Sequence, residues 1–418
     1  MLHPKMQYVY VGIDSHKDTH CAVVLNCFFE KLGEITFDNA PAKFEEFFQA
    51  IRKFKPKGST LAFGLEDVSA YGRNLTVFLT GKKQVVKHVN ASLVAAERRS
   101  RNVLHKTDSK DAECAARVLL NRFDQLPDAD PQDKYWVLTS LVTRRRSIIK
   151  MNISLKNHLH SFLTSHYPSY DRFFARIDYQ TALKFFEKYP SPSSLKSVAV
   201  EELAEFLAGY SARRIKIERA IEILDHVEND GDTRVQYQEA RDLAVQSTIR
   251  QINNNLKEIE SIEAILEELL EHFDYKLQSM RGIDTVTAAN LIAEIGDIKR
   301  FPTPAKLARY SGVAPVTYSS GKSSVQYANQ RGNRTLNAIF FSLAVVVTMT
   351  AGRHKKIINP FFYHYYHKKI SEGKTKRQAL KCVERRLVNI IWSMMTYKTE
   401  YINPPTQDFP KEAKAEST

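Results

Sequence analysis

Apolar positions along the first 125 residues follow the two periods that separate strands from helices. Tyr8 to Asp14 (YVYVGID) alternates and is rich in strand formers, and CAVVLN (Cys21 to Asn26) and EITFDN (Glu34 to Asn39) follow it closely. This spacing predicts an antiparallel meander. Pro41 opens a helical pattern through Phe54, with Phe44, Phe47, Phe48 and Ile51 on one face. Thr60 to Glu66 reads as a short buried strand, followed by a helix from about Ser69 to Leu79. A strand over Gln84 to Asn90, a helix over Ala91 to Arg98 and a helix over Ser109 to Asn121 complete the region, with Asp108 as the expected N-cap of the last. The order βββαβαβα predicts a mixed α/β sheet with ligands at its strand ends.

Residues 128 to 275 carry helical patterning throughout. Asp133 to His166 is long, basic and nearly free of helix breakers. Gln236 to Phe273 places Ile249, Ile252, Leu256, Ile259, Ile262, Leu266 and Leu270 at coiled-coil spacing among glutamates. The stretch between them, Tyr167 to Gly231, contains Pro168, Pro190 and Pro192 and looks less regular. The two long helices can pair within one chain or between chains, and the spacing alone does not choose.

The last third opens on LQSMRGIDTVTAANLIAEIGDIKRF (Leu277 to Phe301), the pattern of a helix-hairpin-helix, in which backbone N–H groups around the hairpin face phosphate. VAPVTYSSGKSSVQYANQRGNRTLN (Val313 to Asn337) follows, with four serines around one glycine, a composition typical of loops. An apolar helix from Ala338 to Met349, the run RHKKIINPFFYHYYHKK (Arg353 to Lys369) and a basic amphipathic helix through Lys381, Arg385 and Arg386 come next. The expected division is an α/β domain over 1–127, a helical region over 128–275, a mainly helical domain over 276–402 and a tail over 403–418.

Composition adds a direction. A chain of 418 residues accommodates two or three domains. Of its net +14, a surplus of 13 falls between Arg281 and Thr418, where 22 Lys and Arg face 9 Asp and Glu. A basic third on an otherwise balanced chain points to a polyanion, most often nucleic acid. Lys322, Arg331, Arg334, Lys355, Lys356, Lys368 and Lys369 are the candidate phosphate contacts. Phe361, Phe362, Tyr363, Tyr365 and Tyr366 stand among them either as core or as stacking platforms for bases. Four cysteines without CxxC spacing argue against a structural zinc site and a disulfide framework. No apolar run is long enough to span a bilayer, and MLHPKMQYVYVG lacks a signal-peptide core. A reduced, cytoplasmic setting is expected.

Four carboxylates stand where chemistry would want them. Asp14 closes the first strand, Glu66 closes the fourth, and Asp108 and Asp111 sit three apart at a helix start. Strand ends and helix starts gather at one edge of an α/β sheet, and acids brought together there repel unless a cation sits between them. Mg²⁺ ions, or Mn²⁺, meet that need in phosphoryl transfer. Each residue alone has a simpler reading, as a cap, a helix-dipole partner or a solvated strand end. The ordered set on this scaffold matches RuvC-like, ribonuclease-H-type nucleases. Sugar kinases share the GID strand but need glycine-rich phosphate loops that are missing here.

With these motifs in hand, the chain resembles the DEDD transposases of the IS110 insertion-sequence family, relatives of the Piv DNA invertases. The motifs are YVGIDSHKD, GLEDVSAYG, HKTDSKDA, RGIDTVTAANLIAEIGDIKRF, ARYSGVAPVTYSSGKS and QRGNRTLNAIF. The resemblance implies that Asp14, Glu66, Asp108 and Asp111 form a Mg²⁺-binding tetrad and that Ser320 is a nucleophile. It implies cleavage and rejoining of donor and target DNA through a phosphoserine. It also implies a noncoding bridge RNA that guides the choice of sites, and dimers joining into a tetramer. Ser69 stands where the family usually has glycine, and Ser319 adjoins Ser320, leaving two candidates for the nucleophile. No histidine neighbours Ser320, so its activation would have to come from the carboxylate–metal cluster. A RuvC-like nuclease acting on branched DNA and a non-catalytic nucleic-acid-binding protein are the alternative readings.

Overall fold

A computed structural model describes residues 4–68, 70–101, 105, 107–129, 131, 133–211, 216–231, 236–320, 323–327, 329, 332–352 and 354–403. The patterned N-terminal segments form β1 (Tyr8–Ser15), β2 (Thr19–Leu25), β3 (Lys31–Asp38), α1 (Pro41–Arg52), β4 (Thr60–Leu65), α2 (Arg73–Gly81), β5 (Val85–His88), α3 (Ala91–Ser100) and α4 (Asp108–Arg122). The five strands make one sheet in the order β3-β2-β1-β4-β5. β1 is antiparallel to β2 and parallel to β4. This is the mixed RuvC-like α/β sheet that the strand order predicts.

Period-two alternation divides β1 between the two faces of the sheet. Val9, Val11 and Ile13 join Phe44, Phe47 and Ile51 of α1 and Leu75 and Leu79 of α2 in one core. Tyr10 turns the other way, onto Cys114, Ala115, Val118 and Leu119 of α4. Gly12 lies on the α4 side, and a Cβ there would stand 2.1 Å from the carbonyl oxygen of Ala112 and 2.2 Å from the amide nitrogen of Ala116. Glycine therefore sets how closely α4, with its acids, approaches β1.

The chain divides into two compact units, residues 1–137 with 296–302, and residues 138–295 with 303–418. The second contains most of α5 (Asp133–His166), then α6 (Gln180–Lys188), α7 (Val200–Tyr210), α8 (Ile217–Asp230) and α9 (Gln238–Leu270). Among its described residues the less regular stretch thus holds three α-helices, and its prolines fall outside them, where they break none of their hydrogen bonds. α5 and α9 pair within the chain and run antiparallel. Arg144 bonds Glu258 at 2.8 Å, Arg145 bonds Glu263 at 2.5 Å, and Asn255 donates to Asn152 at 2.7 Å. On the α9 seam, Ile249, Ile252, Ile262, Leu266 and Leu270 are buried.

Beyond them lie α10 (Thr285–Ile295), α11 (Pro304–Tyr310), β6 (Val316–Ser320), β7 (Ser323–Tyr327), α12 (Arg334–Val347), β8 (Thr350–Ala351), β9 (Lys356–Ile357), α13 (Pro360–Ser371) and α14 (Lys376–Tyr397). α14 packs on α11, α12 and α13, burying Val383, Leu387, Val388, Ile391, Met394 and Met395. Two local expectations change here. The element before Gly282 is only a 3-10 turn over Leu277–Ser279, so the helix-hairpin-helix pattern has one full helix. The serine cluster forms an antiparallel hairpin, Ser319 opposite Ser324 and Ser320 opposite Ser323. Among the described residues, no helix is long and apolar enough to cross a membrane.

Candidate functional site

Asp14 is the next-to-last residue of β1. In the parallel pair, Ile13 stands opposite Leu65, so Asp14, still paired with Cys21 of β2, and Glu66 each follow directly on that last pair. α4 brings the other two acids to the same edge. Its N-cap is Thr107 rather than Asp108: the Thr107 hydroxyl accepts the amide of Lys110 at 3.3 Å. With the capping task taken by its neighbour, the Asp108 carboxylate turns elsewhere.

It turns to His16. Nε2 of His16 lies 3.2 Å from Oδ2 of Asp14 and 3.2 Å from Oδ1 of Asp108. One ligand-capable atom from each of these residues falls within 4.8 Å of the other two. Among the described residues, the Nε2 atom is buried and aligned with no hydrogen-bond acceptor, although two carboxylates flank it. Burial pushes the Asp14 carboxyl above its ordinary range; Asp111 and Asp108 push the same way, and His16 opposes them. Two acids, one of them desolvated, around an unaligned imidazole nitrogen are a donor set that fits a divalent cation.

The other two acids are arranged differently. Asp111 is 5% exposed, and Arg98 of α3 donates to its Oδ1 at 2.5 Å. Glu66 is half-buried just beyond β4. The close trio therefore consists of Asp14, Asp108 and His16, with Glu66 beside Asp14 and Asp111 held by Arg98. His16 and Arg98 were not singled out in the sequence. His16 had a signal there, because residues i and i+2 of an extended strand share a face and the strand runs past Asp14. The ion pair of Arg98 with a residue on a different helix had none.

Loop contacts hold this edge in place. The Asn39 side-chain amide donates to the carbonyls of His16 (3.2 Å), Lys17 (3.2 Å) and Tyr71 (3.1 Å). The Asp67 carboxylate accepts the amides of Ala70 and Tyr71 at 2.8 and 2.7 Å. Asp67, Ala70 and Tyr71 are thus tied together next to the acids.

In the helical unit, the backbone places Ser320 as the last residue of β6, with Ser319 directly before it. Lys322 and Arg331 lie outside the described residues. Arg334 is exposed at the start of α12 and shares a groove of about 560 Å³ with Arg146, Gly282, Thr287 and Asn290. Asp284 bonds the amide of Thr287 at 2.7 Å, which removes one N–H of the hairpin from reach of a phosphate. Lys355, Lys356 and Lys368 are exposed, whereas Lys369 pairs with Glu372 at 2.6 Å. Phe361 and Phe362 are buried. Arg386 lies over the rings of Phe361 and Tyr365, so those rings serve the fold. Tyr363 and Tyr366 stay half-buried, each against His367.

A mixed five-stranded sheet with acids at the ends of β1 and β4 and at the start of α4 defines a RuvC-like domain, here joined to a helical domain. Comparison with known proteins narrows that class. Residues 11–168 match a family model described as Transposase, of the DEDD IS110 type, and residues 274–359 match the Transposase IS116/IS110/IS902 family. The chain is 26% identical over 418 residues to the uncharacterized 44.8 kDa protein of insertion element IS116 from Streptomyces clavuligerus, covering 95% of this chain and 97% of that one. It is 29% identical over 301 residues to the uncharacterized 43.6 kDa protein of insertion element IS110 from Streptomyces coelicolor, covering 71% and 72%. A pilin gene-inverting protein of Moraxella bovis is 30% identical over 131 residues, covering 30% of this chain and 38% of that protein. The chain belongs to the IS110 family of transposases and is an enzyme of the DNA transposase and recombinase class.

Proposed function

We propose that this transposase cleaves and rejoins DNA through Ser320, with Mg²⁺ or Mn²⁺ held by Asp14, Glu66, Asp108 and Asp111. The observation that carries the reading is the meeting of Asp14 and Asp108 around one buried nitrogen, in a family whose elements move as DNA. A divalent ion bound there supplies charge neutralisation and Lewis acidity. Ser320 Oγ forms a bond to phosphorus as the bond from phosphorus to a deoxyribose oxygen breaks, and the serine proton ends on that oxygen. Attack by a hydroxyl of the second DNA site on the phosphoserine reverses the step and releases the serine. The place of Ser320 at the end of β6 supports the assignment, since a hairpin tip can approach a backbone that flat surfaces cannot. Arg334, Lys355, Lys356 and Lys368 would grip phosphates, Lys322, Arg331 and Lys369 would add to that grip, a noncoding guide RNA would choose the sites, and dimers would pair into a tetramer.

The test is covalent trapping. Denatured reactions of the parent and of Ser319→Ala should retain a protein–DNA adduct, and Ser320→Ala should lose both adduct and recombination. A Ser320→Ala protein that still recombines would move the reading to water-mediated cleavage at the acids. Sequencing of co-purified RNA checks guidance, and only random cellular fragments would count against it.

A further inference from the structure

We propose that His16 is a cation ligand alongside Asp14 and Asp108, and that its imidazole tilts the site from Mg²⁺ towards first-row transition-metal ions. This inference rests on the proposed metal-assisted function and adds a nitrogen donor to it.

Three observations converge. Nε2 of His16 is equidistant, at 3.2 Å, from one oxygen of each carboxylate. A ring nitrogen has a single in-plane direction and can align with only one acceptor, and here it aligns with neither. Facing two carboxylates without committing to either is the placement expected of a donor that shares a common ion with them. The backbone that carries the ring is also held in place. The His16 amide donates to the Thr19 carbonyl at 3.1 Å, closing the β1–β2 turn, and Asn39 holds the carbonyls of His16 and Lys17. Ligands preorganised in this way lose little freedom on binding.

The chemistry of the donor set gives the preference. Mg²⁺ binds oxygen ligands and keeps much of its water, whereas later divalent ions gain from imidazole nitrogen. A site of carboxylates alone would favour neither strongly; adding one imidazole raises affinity for the transition metals without a matching gain for Mg²⁺.

Mn²⁺ is the probe, because its paramagnetism reports a directly bound nitrogen. Full-length protein with Mn²⁺ should show ¹⁴N coupling in pulsed electron paramagnetic resonance. In His16→Gln that coupling should vanish, and the affinity for Zn²⁺, which gains most from imidazole and is read by displacement of Mn²⁺, should fall roughly ten-fold or more. Mg²⁺ affinity, read by competition, should change much less. Melting curves of the same samples confirm folding. Mn²⁺ bound without ¹⁴N coupling, yet released by Asp14→Asn, overturns the role of His16 and leaves the acidic site standing; His16 would then be an ion-pair partner. Mn²⁺ binding that ignores Asp14→Asn overturns the acidic site and the inference with it.

Discussion

Replacing Gly12 with alanine should separate the two elements that carry the acids. Gly12 pairs with Val23 on one side and Gly64 on the other, so β1 has no freedom to retreat within the sheet. The new Cβ would meet the carbonyl oxygen of Ala112 at 2.1 Å and the amide nitrogen of Ala116 at 2.2 Å, where ordinary contact begins at 3.4 Å. Both obstacles are backbone, so no side chain can swing aside. α4 must move out by more than about 1 Å, at a cost near the top of the roughly 1–3 kcal/mol range for overpacked cores. For a unit the size of the N-terminal one, melting on its own, that corresponds to a fall in Tm of about 6–12 °C.

The same shift moves Asp108 and Asp111 away from Asp14. Misplacement by about 1 Å typically costs two orders of magnitude in rate, so DNA cleavage should fall about 100-fold even well below the new Tm. Gly81→Ala is the control, because nothing among the described residues lies within 4 Å of a Cβ at that position. Differential scanning calorimetry and a cleavage assay on both variants decide the matter. If Gly12→Ala melts within about 1 °C of the parent and cleaves normally, the close approach of α4 to β1 does not position the acids.

Three further outcomes follow from the helical unit. Asn255→Leu alone strands the buried side-chain oxygen of Asn152 and should cost about 1–3 kcal/mol in chemical denaturation, whereas Leu at both positions should be close to neutral. Arg176, through two hydrogen bonds, and then Lys156 hold the Asp178 carboxyl well below the usual carboxylate range. A depressed folded-state pKa stabilises above the unfolded value and is lost on acidification, so the Tm gap between the parent and Asp178→Asn should be full near neutrality and shrink below about pH 4; a gap that widens on acidification would refute this. Lys355→Ala and Lys356→Ala should each flatten the salt dependence of DNA binding by about 0.9 in log–log slope if each lysine meets a phosphate, and Arg144→Ala should leave the slope unchanged.

Much of the N-terminal unit was legible because its signals are local. A run of strand formers over Tyr8 to Asp14 and four phenylalanine or isoleucine positions on one face of α1 leave little choice of structure. α5 spans the same residues that its breaker-free pattern marks out, Asp133–His166. The misreadings come from positions where local chemistry is degenerate. Thr107 and Asp108 are adjacent and both cap helices well, and only the path of the chain into α4 chooses between them. Val316 and Tyr318, and Val325 and Tyr327, alternate as strand residues do, but the serines and glycine among them have the composition of a loop. Tyr365 looks like a base platform in the sequence and is covered by Arg386 of a helix that folds back from further along the chain.

Charge shows the same limit at a larger scale. The triple arginine of α5 looks like a nucleic-acid contact when only composition is counted. In the fold Arg144 pairs with Glu258, Arg145 with Glu263 and Arg146 with Glu294, so this cluster ties helices together. The near-neutral balance of the first 280 residues is therefore internal: basic α5 is answered by acidic α9. The C-terminal third has far fewer acids to spend in this way. Lys369 finds Glu372 and Lys381 finds Glu384, but Lys355, Lys356 and Lys368 remain exposed on β9, its approach and α13. A cation contributes to phosphate binding through the acids it lacks as much as through its own charge. The surplus of 13 in residues 281–418 matters because the chain supplies too few carboxylates there to neutralise it.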